Sequence, residues 1–343
     1  KGANPVMDVD MDMNMDMKMD MNMDMDMNMN ENRNPVAVPD LNNALLFEPV
    51  GSEERNKAEF IRPSQSYWQD AWRRLKRDRL ALLGLFTILA IFALAVLGPW
   101  FSAHTYDAQN FMAANEPPSA THLFGTDMFG RDLFVRVLYG ARISLAVGLV
   151  ASLINLTIGV VYGGISGFAG GKIDNLMMRV VDTIHSIPLM IYVILLMVVV
   201  GPGLKSIFIT LGISYWSSMA RIVRSEVMRI KNEEFVLAAR VLGASRRRML
   251  LQHLIPNAMG PILVTLTFSI PQAIFAESFL SFVGLGVSAP MASWGVLSND
   301  AIGTLGIYPY QLFFPAAAIS VTILAFNFLG DGLRDALDPR LRA

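Results

Sequence analysis

The amino-acid sequence predicts an all-α, polytopic membrane protein with six transmembrane helices. Of its 343 residues, 53% are hydrophobic and only 17% are charged, and six long segments carry no charge at all. That charge content is low for a soluble protein, and about 20 apolar residues suffice for a helix to cross a bilayer. We therefore predict spans at about 80–101, 143–166, 183–201, 206–223, 257–279 and 311–330.

The N-terminal segment has a different composition. Between residues 7 and 30, Met alternates with Asp, Asn or Lys, and residues 1–59 hold 13 acidic and 5 basic side chains. Asp and Asn are poor strand formers, and clustered like charges resist pairing. Residues 1–60 are therefore predicted to be a disordered acidic tail. Its thioethers would suit a soft metal such as Cu(I), but a plain low-complexity repeat is the preferred interpretation.

Residues 61–79 are predicted to form an amphipathic helix at the membrane surface, because Trp68 and Trp72 lie four apart and basic residues follow them. No cleavable signal peptide is expected, since the first apolar segment starts at Leu80 and is long enough to span. Residues 278–299 are uncharged but rich in Gly and Ser, and we do not predict a span there.

Basic residues predict the orientation of the chain. With the N-terminus inside, 19 Lys and Arg lie near cytoplasmic membrane ends and 4 lie in outer loops. Such an excess marks the cytoplasmic side. Both termini and the segment 224–256, which we call the elbow, are therefore predicted to be cytoplasmic.

The elbow carries an apolar face on a charged background. Phe235, Ala238, Ala239 and Leu242 follow helical spacing. Gly243 is expected to end this helix, and Ser245 is expected to cap the next one. A short apolar stripe with small residues at its centre suits insertion into a groove of another protein.

Several motifs occur in a recognisable order. FGTDMFGRD at 124–132 and GARISL at 140–145 follow the first span, and GGKID lies at 170–174. ESFLSFVGLG lies at 277–286, across the end of the fifth span, and FNFLGDGLRDALDP lies at 326–339, near the end of the sequence. Together with the elbow pattern Ala238-Ala239-x3-Gly243-x12-Pro256, these motifs resemble the C-type permease subunit of oligopeptide ABC importers over about 64–342.

The resemblance implies a type I importer permease fold over 80–342, in a bacterial inner membrane. It implies a homologous B-type permease, two ATPase subunits that bind ATP and Mg²⁺, and an extracytoplasmic peptide-binding protein as partners. The chain itself would bind no cofactor and catalyse nothing. The resemblance implies that the elbow docks an ATPase subunit, and we expect the contact to be formed by Phe235, Leu237, Ala238, Ala239, Leu242 and Gly243. Leu237 stands where the family usually has Glu.

Three further residues are candidates for pathway or subunit contacts. Arg131 and Asp132 would contact substrate or the binding protein, or would form local ion pairs that order a loop. Glu277, at the end of the fifth span, would line the pathway or seal against the partner, or would be structural, which is the preferred interpretation.

Other functions are disfavoured by the sequence. GISGFAGGKI lacks the first Gly and the Ser/Thr of a phosphate-binding loop, and the four histidines are far apart in sequence without metal-ligand spacing. Nothing indicates nucleic-acid binding. Dipeptides, glutathione, nickel chelates and opines remain alternative substrates. An ion-coupled carrier, which would need charged groups near mid-span, and a membrane scaffold are the rivals outside the class.

Overall fold

A computed structural model describes residues 67–287 and 291–338, and the predicted Met/Asp tail lies outside these residues. Within them the regular structure is helical, with no strand and one isolated bridge between Thr126 and Asp132. The helices of seven or more residues in these ranges are α1 (Tyr67–Leu75), α2 (Arg79–Leu97), α3 (Leu133–Ala169), α4 (Gly171–Ser186), α5 (Leu189–Val200), α6 (Leu204–Ile230), α7 (Glu234–Val241), α8 (Met259–Phe282), α9 (Trp294–Asp300) and α10 (Tyr310–Leu337).

Four stretches in the described part of the chain are long and apolar enough to span a membrane: Arg79–Trp100, Leu133–Ala169, Met259–Phe282 and Tyr310–Leu337. They contain the second and sixth predicted spans, 143–166 and 311–330, and cover the first and fifth, 80–101 and 257–279, except for one or two end residues. The third predicted span, 183–201, is not one straight helix. It is broken between α4 and α5, which meet at an angle of 81° and count as a fifth span only if taken together. Pro188 lies at this break, where it cannot donate a helical hydrogen bond.

α6 contains the fourth predicted span, 206–223, but it is too polar to belong to these stretches. Its buried positions include Ile207, Leu211, Met219 and Val223, and its last turns carry charged side chains. Neighbouring helices of this chain cover these positions. Two further hydroxyl groups of the helix donate to backbone carbonyl oxygens in its preceding turn.

α3 and α6 pack very closely along a row of glycines. Gly159, Gly163 and Gly167 lie four residues apart on α3. A Cβ atom added at Gly163 would overlap the carbonyl oxygen of Ala220, and one added at Gly167 would lie 2.7 Å from the carbonyl oxygen of Arg224. Small residues at this spacing let two helix backbones approach one another in a membrane.

Side-chain caps fix where several helices begin. Asp78 accepts hydrogen bonds from the N–H groups of Leu80 (2.9 Å) and Ala81 (3.2 Å) at the start of α2. Asp132 caps α3, and Ser293 caps α9. Such caps satisfy N–H groups that lack a partner in the first helical turn. Consistent with the prediction that 278–299 is not a span, α8 ends at Phe282 and the short helix α9 follows.

Candidate functional site

The elbow folds as α7, a glycine turn and a second helical segment. Gly243 has a φ of 82°, and its N–H donates to the carbonyl oxygen of Arg240, while that of Ala244 donates to Ala239. This pair of hydrogen bonds is a Schellman motif, for which glycine is favoured. The hydroxyl of Ser245 then accepts a hydrogen bond from the N–H of Arg248. The predicted helix stop at Gly243 and the predicted cap at Ser245 are both confirmed.

The base of the elbow is fastened to the C-terminal end of α3 and to α4. The Arg224 guanidinium donates two hydrogen bonds of 2.5 Å to the carboxylate of Asp174, which also accepts one from Ser166 at 2.6 Å. Lys231 donates to the carbonyl oxygen of Gly167 at 2.9 Å. Charge-assisted bonds of this bidentate kind fix orientation as well as adding stability. A displacement of the elbow would therefore be transmitted to these helices.

A single buried side chain anchors α7 to the bundle. Val236 is fully buried, and it belongs to an apolar cluster with residues of α6, α8 and the segment between α7 and α8. It is the one buried position of α7. The helix is thus anchored through Val236, and most of its other side chains are exposed.

The opposite face of α7 exposes apolar side chains. Phe235 and Leu237 are each 45% exposed, and Leu242 is 87% exposed. Ala238 is exposed and Ala239 is partly buried. Val241, which is not part of the predicted apolar face, is also 87% exposed. A cluster of large exposed apolar side chains of this kind marks an interaction surface.

A cavity of about 970 Å³ opens among α3, the α4–α5 break, α6, α8 and α10. Most of its wall is apolar, and the neutral polar side chains that line it are those of Asn155, Ser214, Tyr215, Ser218, Thr265, Ser269, Gln272 and Asn327. Among the described residues no acidic side chain lines it, and its basic groups are His185 and Arg334. The volume lies at the upper end of the range for small-molecule sites, about 300–1,000 Å³.

Glu277 lies inside the bundle and not on the wall of this cavity. Its side chain is fully buried, and its carboxyl oxygens accept hydrogen bonds from the hydroxyls of Ser144 (2.9 Å) and Ser281 (2.8 Å). Ser144 also accepts a hydrogen bond from the N–H of Trp294, at 3.4 Å. Glu277 therefore links α3, α8 and α9 within this chain.

Arg131 belongs to a buried cluster that we call the ion quartet: Asp127, Arg131, Arg136 and Asp300. Asp127 accepts hydrogen bonds from Arg131 Nε at 2.7 Å and from Arg136, and Asp300 lies 3.7 and 3.5 Å from the same two guanidinium groups. Burial raises the pKa of Asp300 above its ordinary value, although the nearby Arg136 and Arg131 act in the opposite direction. The quartet connects the α2–α3 loop to α3 and α9, which gives Arg131 partners within its own chain.

Asp132 also has partners within the chain. One carboxylate oxygen accepts from the N–H of Val135 at 2.9 Å, and the other lies 2.8 Å from Nδ1 of His122. The His104 ring stacks on that of His122 with centroids 4.9 Å apart. The histidines that are distant in sequence thus include two that meet in space, and with Asp132 they offer three ligand atoms within 4.8 Å. The capping bond and the His122 contact already account for the carboxylate of Asp132.

Two known protein families match parts of this chain. Residues 159–343, a little over half of the chain, match the family described as binding-protein-dependent transport system inner membrane component. The chain belongs to this family. The match includes the elbow and most of the residues that line the cavity. Residues 66–118 of the permease match a second family, the N-terminal TM domain of oligopeptide transport permease C, and these residues contain α1 and α2.

Curated relatives agree with this assignment. The permease is 53% identical to the dipeptide transport system permease protein DppC of Bacillus subtilis (strain 168), over 85% of this chain and 92% of the relative. It is 49% identical to the oligopeptide transport system permease protein OppC of the same organism, over 87% and 97%. The OppC protein of Haemophilus influenzae is 46% identical over 81% and 90%.

A solved structure shares the fold. An inward-facing form of the MetNI methionine ABC transporter matches with a TM-score of 0.51 and 20% identity, over 60% of the permease and 96% of that chain. At this identity the likeness concerns the fold alone. The sequence pattern predicted the elbow of the permease, but it did not include Val241 or indicate the cavity. Val241 and Leu242 form an apolar pair directly before the glycine that ends the helix, and this pair could have indicated that Val241 is exposed beside Leu242.

Proposed function

We propose that the chain is one of two permease subunits of an ATP-driven peptide importer, and that the exposed face of α7 docks an ATPase subunit. The observation that carries the proposal is the structure of the elbow. Its base is fixed to α3 and α4 by Arg224, Asp174 and Lys231, and its outward face presents Val241 and Leu242 at 87% exposure. Because α7 is fixed at its base and exposes apolar side chains on its other side, a movement of a bound ATPase subunit would be transmitted through it to α3 and α4.

The proposed assembly follows from this docking. The chain would cross a bacterial inner membrane six times, with the α4–α5 pair and α6 completing the count, and both termini would be cytoplasmic. A homologous permease would form the other half of the pathway. Two ATPase subunits would bind ATP and Mg²⁺ beneath them, and an extracytoplasmic binding protein would deliver peptide. The chain itself would remain non-catalytic.

The proposed mechanism is alternating access. ATP binding closes the two ATPase subunits, and the docked α7 moves with one of them. The Arg224–Asp174 bonds carry this motion to α4 and to the end of α3, and the bundle changes from one stable packing to another. The cavity among α3, α6, α8 and α10 would be this chain's share of the pathway.

The two curated relatives with the highest identities quoted above are a dipeptide and an oligopeptide permease protein, which favours peptides over glutathione, nickel chelates or opines. Uptake of labelled dipeptides and pentapeptides by the reconstituted importer would set the length range. An ion-coupled carrier would instead transport without any ATPase and would stop when the ion gradient is collapsed.

The docking is tested by Ala239→Asp and Gly243→Val. The first puts a charge on the apolar face, and the second forces a β-branched residue into a left-handed turn. We expect normal insertion, loss of peptide uptake, and ATP hydrolysis that no longer responds to the loaded binding protein. Met112→Asp, at an exposed apolar residue outside the elbow, serves as the control for ATPase binding. Wild-type uptake in both elbow variants would refute the docking.

A further inference from the structure

Two buried polar atoms beside the cavity have no hydrogen-bond partner. They are Oδ1 of Asn155 on α3 and Oγ of Ser214 on α6. Asn155 is only 3% exposed, and both residues line the cavity. Buried polar atoms in folded proteins nearly always have a partner. Two orphaned atoms on one cavity wall therefore indicate that the wall is completed by something that enters the cavity.

The chemistry of these atoms defines the ligand. The Oδ1 atom of an asparagine only accepts hydrogen bonds, so it requires a donor, whereas a serine hydroxyl can donate or accept. The neutral polar side chains of Tyr215 and Gln272 line the same cavity, and its basic groups among the described residues, His185 and Arg334, lie on α4 and α10. The part of the wall that α3 and α6 form therefore presents no charged group. It suits a ligand that carries neutral N–H and C=O groups, which every peptide has at regular intervals along its main chain.

We propose that Asn155 and Ser214 form a transient binding site for the main-chain amide groups of a peptide in transit. This inference rests on the proposed function. It explains how a pathway can accept peptides of different sequence, because only groups common to all of them are bound. Asn155 would accept a hydrogen bond from a peptide N–H, and Ser214 would bond an adjacent N–H or carbonyl group.

The test replaces one amide with an ester. The complete importer, with its partner permease, ATPases and binding protein, is reconstituted in proteoliposomes and supplied with saturating tri-alanine or with its analogue in which the amide between the second and third residues is an ester. The ester lacks the N–H. We expect Asn155→Leu to slow tri-alanine transport by roughly five- to tenfold and to slow ester transport much less. Comparing the two substrates in each variant cancels any preference of the binding protein.

Controls separate this site from a general defect. Thr157→Val also removes a polar group from α3, but the Thr157 hydroxyl is bonded to the carbonyl oxygen of Leu153 and does not line the cavity. It should leave the amide-to-ester ratio unchanged. Ser214→Ala should slow both substrates alike and leave the amide-to-ester ratio near that of the parent, because the group that Ser214 bonds is retained in the ester. The slowing by Asn155→Leu should be the same for Ala-Lys-Ala and Ala-Glu-Ala, since the site binds no side chain.

The outcomes are distinguishable. An importer that moves no peptide in any form refutes the proposed function itself. An importer that moves peptide with the same amide-to-ester ratio in the parent and in Asn155→Leu, or that moves tri-alanine at the parent rate in Ser214→Ala, refutes only the amide site. An Asn155→Leu effect that depends on the charge of the central side chain also refutes it.

Discussion

The α2–α3 loop and the elbow adjoin opposite ends of α3, and they are built in contrasting ways. The loop precedes Leu133 and closes around the ion quartet, in which the side chains of Arg131 and Arg136 are 10% and 2% exposed. The elbow is bonded to Gly167 near the other end, and it leaves Val241 and Leu242 almost fully exposed. One region satisfies its charges internally, whereas the other leaves its apolar surface uncovered.

This difference separates stability from partner binding. Buried charges that lose a partner are costly, so the quartet commits the loop to one conformation. Exposed apolar side chains contribute little to the stability of the chain that carries them, because they gain only when a partner covers them. Substitutions in the ion quartet should therefore lower the stability of the isolated chain, whereas substitutions on the exposed face of α7 should mainly weaken partner binding.

The largest effect is expected for Asp127→Asn. Asp127 accepts from both arginines and from the N–H groups of Phe129 and Arg131. The change leaves Arg136 buried with only the distant carboxylate of Asp300. Removing one partner of a buried ion pair costs about 3–5 kcal/mol. Thermal unfolding of the purified chain in mild detergent should show a large fall in the midpoint, and an unchanged midpoint would contradict the structural role of the quartet.

A smaller loss of stability is expected for Gly163→Ala, which tests the close packing of α3 against α6 between the two ends of α3. The added methyl group would overlap the carbonyl oxygen of Ala220, and overpacking of this kind costs about 1–3 kcal/mol. Gly164→Ala is the matched control, because its methyl group would lie 3.6 Å from Ile255 and Leu250. Equal unfolding midpoints for the two variants would show that the helices are not closely packed.

Asp300→Asn should cost less than about 1 kcal/mol, because its carboxylate is 36% exposed and lies 3.5 Å or more from its partners. Burial raises the pKa of Asp300 above its ordinary value of 3.8. The folded chain thus holds this proton more tightly than the unfolded chain, and stability falls as pH rises through the window above 3.8. The variant cannot show this loss, because it has no carboxylate at this position. The unfolding midpoint of the variant minus that of the parent should therefore be larger at pH 7 than at pH 4. A smaller difference at pH 7 would contradict the raised pKa of Asp300.

Local signals explain which elements the sequence predicts correctly. α2, α3, α8 and α10 follow from long apolar runs, and the elbow turn follows from Gly243 and Ser245, whose effects reach only a few residues. α6 is different, because whether lipid or protein covers a helix depends on the other helices. The break before α5 had a local signal in Pro188, but it lies within the uncharged segment 183–204, on which the predicted span rested.

The cavity could not be predicted in the same way. Asn155 and Ser214 lie on different helices and come to line one cavity only after α3 and α6 have packed together. His104 and His122 likewise become neighbours through the course of the α2–α3 loop. Neither pair has a characteristic spacing in the sequence. Contacts of this kind are set by tertiary packing, and a sequence pattern that reports on helix faces carries no information about them.

The smallest effect on stability is expected for Val241→Asp. Val241 is 87% exposed, and substitutions at such positions usually change stability by no more than about 0.5 kcal/mol. Binding of the ATPase subunit should nevertheless weaken at least about tenfold, as measured by co-purification from mild detergent, because a charge would be buried in an apolar contact.

Val236→Asp provides the matched comparison, since it makes the same change five residues away on the same helix. Val236 is fully buried in the cluster that anchors α7, so the new carboxylate would be buried without a partner, and the chain should lose both stability and ATPase binding. Val241→Asp should lose only the binding. If instead Val241→Asp lowered the unfolding midpoint as much as Val236→Asp, the exposed face of α7 would contribute to the fold and the contrast between the two ends of α3 would fail.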